Sequence, residues 1–149
     1  MELKYAYKPD DKKTAVGMVR GLDISFKHAV VVCERLRGMM LQDAIKLLEA
    51  VIALEESVPF KRFNTGIGHR RGLGKDNIAK YPKKAAFHML KLMRNMETNA
   101  EYKGLDTERL KIIHIQALRG ISRKKRRPRG RWRLWKQQLV SVQAVVEET

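Results

Sequence analysis

Acidic residues are missing from a long tract of this chain: none occurs between Arg109 and Val146. Cysteine is nearly missing too. The single thiol, Cys33, excludes an intramolecular disulfide, and with it a disulfide-stapled secreted scaffold. No apolar run approaches the roughly 18 residues that a bilayer-spanning helix needs. The first eleven residues are charged and contain no apolar stretch of signal-peptide length. These absences lead to the expectation of a cytoplasmic protein with no membrane contact.

What the chain does have is positive charge. It carries 32 Lys and Arg against 16 Asp and Glu, a net charge of +16 in 149 residues. Such a charge opposes its own compaction, so a polyanionic partner is expected, with nucleic acid the first candidate and an anionic membrane surface the second. A hydrophobic content of 44% still suffices for a packed core, so the chain is not a disordered basic tail. Its length suits a single domain over residues 1–149.

Apolar periodicity predicts the body. Ala15, Val16, Met18 and Val19 allow a strand within residues 13–24. Ser25 fits the N-cap of a first helix, with Phe26, Ala29, Val30, Cys33 and Leu36 on its apolar stripe and Gly38 at its end. Cys33 on that stripe reads as a small buried hydrophobe. A second helix over residues 41–54 turns Leu41, Ala44, Ile45, Leu48 and Ile52 inward, and Leu47, Val51 and Leu54 widen that face. Pro82 opens a third helix at its first helical position, with Ala86, Met89, Leu90, Met93 and Met96 on the buried side. Residues 110–117 read as a strand. Val140, Val142, Ala144 and Val146 alternate along another.

Two strands joined by a long polar connection form an antiparallel hairpin. An extended arm from residue 110 to 127 would reach roughly 50–60 Å at about 3.4 Å per residue. A body of this size has a radius of gyration of only about 13 Å, so the basic far end should project.

That far end is the strongest functional signal. Residues 119–136 hold ten cations and no acid: Arg119, Arg123, Lys124, Lys125, Arg126, Arg127, Arg129, Arg131, Arg133 and Lys136. Cations neutralise phosphates and release counterions, and arginine also forks onto phosphate oxygens. Trp132 and Trp135 stand among them as surfaces on which unpaired bases could stack. A charge run is ordinarily a solvated surface of mixed sign; ten like charges without a counter-ion fit RNA contact better.

A second basic patch lies in residues 57–80, read as a long irregular loop inserted between helices. Lys61, Arg62, His69, Arg70, Arg71 and Lys75 are its candidate RNA ligands. The alternative, a merely solvated loop, carries less weight because structureless loops of this length are usually functional. The loop is no dinucleotide fingerprint, since Arg71 occupies the third glycine position. Nor is Gly74-Lys75 a Walker loop, since His69 replaces the first glycine and Asp76 the Ser/Thr. On the third helix Lys84, His88, Lys91 and Asn95 line one outer side, equally consistent with a plain solvated face. The four histidines lack metal-ligand spacing, and His114 reads as a hydrogen-bonded structural residue. No carboxylate pair or nucleophile–base grouping suggests catalysis, so no enzyme and no cofactor is expected.

Four blocks carry a family resemblance: Val58-Pro59-Phe60-Lys61-Arg62-Phe63-Asn64; Gly68-His69-Arg70-Arg71-Gly72-Leu73-Gly74-Lys75; Tyr81-Pro82-Lys83-Lys84-Ala85-Ala86; and Asn99-Ala100-Glu101-Tyr102-Lys103-Gly104-Leu105-Asp106. With the closing Val145-Val146-Glu147-Glu148, they make the whole chain resemble the universal large-subunit ribosomal protein family numbered twenty-two, in its archaeal–eukaryotic form. The resemblance implies an α+β fold, with three helices on a small three-stranded antiparallel sheet and a long projecting hairpin over residues 112–145, its tip within 119–131. Lys83 and Lys84, which stand in the third of these blocks, complete the candidate RNA ligands. It implies a structural role in the large subunit: binding large-subunit rRNA, lining the nascent-peptide exit tunnel opposite an extension of ribosomal protein L-four, and holding the body near the tunnel's outer opening. Implied partners are rRNA, neighbouring ribosomal proteins and, in passing, the nascent peptide; no homo-oligomer is expected. One departure stands on the returning arm, where Pro128-Arg129-Gly130-Arg131-Trp132 replaces the family's frequent Arg-Ala-x-Gly-Arg.

Overall fold

The computed structural model describes residues 5–10, 12–71, 73–75, 77–126 and 133–149. In chain order these form β1 (Thr14–Leu22), α1 (Phe26–Leu36), α2 (Leu41–Ala53), β2 (Val58–Pro59), β3 (Ala79–Lys80), α3 (Lys83–Tyr102), a 3-10 turn (Thr107–Arg109), β4 (Leu110–Arg126) and β5 (Leu134–Glu148). The fold is α+β, as expected. β5 is the middle strand of an antiparallel sheet ordered β1-β5-β4.

The central position of β5 explains its composition. Val140, Val142, Ala144 and Val146 face the helices and belong to the main core with Ile112, Ile115 and Ala117 of β4. Gln143 and Val145 alternate onto the opposite face, yet both are buried. Part of the cover there comes from the segment before β1: Tyr7 stacks on His114 at 5.8 Å, and His114 is the cross-strand partner of Val145. His114 meets expectation in part: its side chain hydrogen-bonds Gln116, but its Nε2 is buried without a hydrogen-bond partner among the described residues. Burial also pushes its pKa down, since the imidazolium would be poorly solvated there.

The three helices cover the other face. α3 lies so close to β1 that a Cβ on Gly17 would stand 2.7 Å from Met96 Cγ and 3.0 Å from Leu92 Cδ1. All five core residues expected of α3 are buried, and Ala85, Leu92 and Ala100 join them.

Several local expectations shift. In α1 the buried set is Ala29, Val31, Val32, Cys33 and Leu36, while Val30 is only half-buried. Ser25 occupies the N-cap position, but its side chain makes no capping hydrogen bond. The C-cap of α1 is Arg37. Gly38 follows it at φ +80° and donates its N–H to the Ile112 carbonyl at 2.8 Å, tying the helix end to β4. Leu54 does not widen the core face of α2: it caps the helix at φ 69° and stays exposed. Pro82 precedes α3 as its N-cap rather than its first residue.

Cys33 is buried, and that burial pushes its thiol up to about 12 from an ordinary value near 9.0. The folded chain therefore holds this proton more tightly than the unfolded one. The contribution to stability is complete below about pH 9 and is lost as pH rises toward about 12. A chromogenic disulfide reagent at pH 8 is expected to leave the native thiol untouched and to titrate one thiol in denaturant. Rapid native labelling would show that Cys33 is accessible.

Candidate nucleic-acid interface

The distal hairpin is built by simple strand pairing. Ser122 stands opposite Gln138, Arg123 opposite Gln137, Lys124 opposite Lys136, Lys125 opposite Trp135 and Arg126 opposite Leu134. Directly opposed residues share a sheet face. Arg123, Lys125, Trp135 and Gln137 therefore form one face, and Lys124, Arg126, Leu134 and Lys136 the other. Lys124 against Lys136 is a like-charge pair, which destabilises a free two-stranded ribbon; a polyanion would convert that penalty into attraction. Arg119 differs from the rest, because its guanidinium packs over the Phe26 ring at 4.9 Å and belongs to the body junction. Arg133 is exposed at the start of the returning arm. Arg127, Arg129, Arg131 and Trp132 lie outside the described residues.

The loop between β2 and β3 is more ordered than its composition suggested. A two-residue antiparallel ladder pairs Val58 with Lys80 and Pro59 with Ala79, and His69 bridges to Ile78. Phe60 is buried and Ile67 packs on the core, so two apolar pins hold the basic excursion. Gly66 and Gly74 take φ +76° and +59°, turns that a side chain would strain. Arg62 is bound to Glu34 at 2.9 Å. Arg70 donates to the His69 carbonyl and lies 5.7 Å over the Tyr81 ring, linking the loop to the start of α3. Lys61, His69, Arg71 and Lys75 are exposed.

On the helical body many cations are balanced: Arg94 pairs with Glu49, Arg35 with Glu56 and Arg109 with Asp106. On α3 Lys91 sits over the Phe87 ring at 4.6 Å, and His88 is half-buried. Among the described residues no group of three or more His, Cys, Asp or Glu could hold a metal ion.

The structure brings together two regions that the sequence kept apart. An open cleft of about 1060 Å³ lies between the hairpin and the starts of α1 and α3. Asp23, Ser25 and His28 form one wall, the 81–85 segment a second, and Lys125 with residues 135–138 of β5 the third. Lys83, Lys84, Lys125, Trp135 and Lys136 thus share one site. Asp23 accepts hydrogen bonds from Gln137 Nε2 at 2.7 Å and Lys84 Nζ at 3.0 Å, joining hairpin, loop and helix. The Gln137 bond, then Lys84, holds its carboxyl below the usual range. Desolvation pushes the pKa of His28 down, and Lys80 adds to the shift. Sequence reasoning missed Asp23 and Gln137, because neither belongs to a basic run and only the tertiary fold juxtaposes them.

The family model described as ribosomal protein L22p/L17e matches residues 18–147. A relative from Archaeoglobus fulgidus, named large ribosomal subunit protein uL22, is 48% identical over 97% of this chain and 96% of its own. Proteins of the same name from Methanocaldococcus jannaschii and Methanococcus maripaludis are 43% and 42% identical, each over 99% of this chain and 96% and 97% of theirs.

Proposed function

The chain belongs to the ribosomal protein L22p/L17e family, and from that premise we propose that it is a structural constituent of the cytoplasmic large ribosomal subunit that binds and organises large-subunit rRNA. Its relatives are named as ribosomal proteins, not enzymes. The observation that carries the rRNA reading is the unbalanced arm. From residue 110 to 146 there is no acid, and β4 is exposed from Ile121 to Arg126. A solvated protein gains nothing from such an arm, whereas threading between RNA segments supplies the missing negative charge. The basic loop, pinned by Phe60 and Ile67, offers a second contact through Arg70, Arg71 and Lys75. We read residues 1–149 as one domain, with residues 57–80 as an inserted basic loop and 112–145 as the hairpin. Its tip within 119–131 lines the peptide exit tunnel opposite L-four, and the body sits near the outer opening. What supports this finer placement is the resemblance of the sequence blocks and the reach of the arms.

Two measurements test the proposal. Tagged protein in a cell lysate should co-sediment with large subunits on a sucrose gradient. Recovery only in free or nucleoid fractions would reject the ribosomal role. A stalled nascent chain bearing a photo-crosslinker inside the tunnel should react with residues of the tip and not with α1–α3. Crosslinks confined to the helices would reject the tunnel placement.

A further inference from the structure

We propose that the cleft between the hairpin and the starts of α1 and α3 is a pocket for one unpaired nucleotide of rRNA, its base stacked on Trp135 and its phosphates held by Lys83 and Lys125. The inference rests on the rRNA-binding reading above and assigns a ligand to one part of that interface.

Three observations converge. The first is orientation. Gln137 reaches Asp23 on the body, so the hairpin face that carries Gln137 is turned toward α1 and α3. Trp135 is two residues away on the same strand and therefore on the same face, and it lines the cleft. It is nevertheless 59% exposed. A large indole at the edge of an open cleft, left largely unpacked, presents a free π-surface of the kind on which bases stack.

The second is charge. Lys83 lines the cleft with no ion pair to any described residue, and Lys125 lines it too, near enough to help lower the Asp23 carboxyl. The one carboxylate there, Asp23, is engaged by Gln137 and Lys84, which leaves a net cationic cavity. An aromatic face with lysines around it suits a ligand that is flat and apolar on one side and anionic on the other, which is the chemistry of a nucleotide.

The third is size. Pockets for single small ligands run roughly 300–1,000 Å³, and this cleft of about 1060 Å³ accepts a nucleotide with the phosphates on either side. A paired base has no free face to offer, so the guest is one splayed out of its helix.

The test uses the full chain with Trp132→Phe, leaving Trp135 as the single indole, and protein-free large-subunit rRNA. Filter retention reports total binding, and indole emission reports the cleft. Saturating rRNA should quench the emission by at least half. Adding Trp135→Ala should weaken retention roughly 5- to 150-fold, the range expected for one stacked base, while Trp135→Phe recovers most of that loss. Because Trp135 is exposed, the variants should melt like the parent. Normal retention with unchanged emission and no effect of Trp135→Ala would overturn the pocket and leave rRNA binding standing. No retention even at low salt would overturn both.

Discussion

A variant lacking residues 123–137, with Ser122 joined to Gln138 through an Asn-Gly turn, is expected to melt cooperatively and yet lose most of the salt dependence of rRNA binding. Ser122 and Gln138 already face each other across the hairpin, and Asn-Gly suits a two-residue connection. The excised part buries little, because residues 121–126 and 133–136 are exposed. It forfeits the Gln137–Asp23 hydrogen bond, which lies in solvent and contributes little to the fold. Arg119 stays over Phe26, so the junction with α1 survives. The binding term changes far more. The deletion removes Arg123, Lys124, Lys125, Arg126, Arg127, Arg129, Arg131, Arg133 and Lys136. If about six of these neutralise phosphates, the slope of log affinity against log salt should flatten by roughly 4–5, since each phosphate contributes about 0.7–0.9. The full chain should lose roughly 10³-fold or more in affinity between 50 and 200 mM salt, and the shortened chain much less. Equal slopes for the two would mean the arm does not lie on phosphate. Loss of a cooperative melt would mean the arm belongs to the core.

The elements with a clean period were legible in the sequence. α3 shows all of its expected core residues buried because its apolar residues recur at one spacing and its outer side is charged. β5 was legible for a different reason: small β-branched residues alternate along it, although its middle position in the sheet, which buries Gln143 and Val145 as well, could not be read from one strand. Leu54 is apolar by composition but falls where the helix must end, whereas Val30 still packs on the edge of the core, half-buried. The loop of residues 57–80 looked structureless because its order depends on two separated apolar pins and a two-residue ladder, none of which leaves a periodic trace. The cleft was invisible because its residues come from three stretches at least forty residues apart. The basic run pointed to one of its walls through Lys125, Trp135 and Lys136, and the block around Lys83 and Lys84 to a second, but nothing in the sequence placed the two together.

Two isoleucines on one strand measure where the body ends. Ile112 and Ile121 both belong to β4, yet Ile112 is fully buried and Ile121 is 75% exposed. Ile112 sits where the connection between α1 and α2 docks on the sheet. Its carbonyl accepts the Gly38 N–H at 2.8 Å, and its own N–H donates to the Met39 carbonyl at 2.9 Å. Its side chain packs in the core opposite Val146. Ile112→Ala should therefore leave a cavity under α1 and α2 and cost about 2–5 kcal/mol, the usual range for deleting buried aliphatic volume. Of a stability of about 5–15 kcal/mol for a domain of ordinary size, that is a large fraction, and the denaturation midpoint should fall accordingly. Ile121→Ala removes the same atoms from a site already in solvent and should shift stability by no more than about 0.5 kcal/mol. Urea unfolding of the two variants, followed by far-ultraviolet circular dichroism, makes the comparison directly. Near-equal losses would mean that the hairpin folds as part of one cooperative core, and the division between a packed body and an arm reserved for RNA would fail.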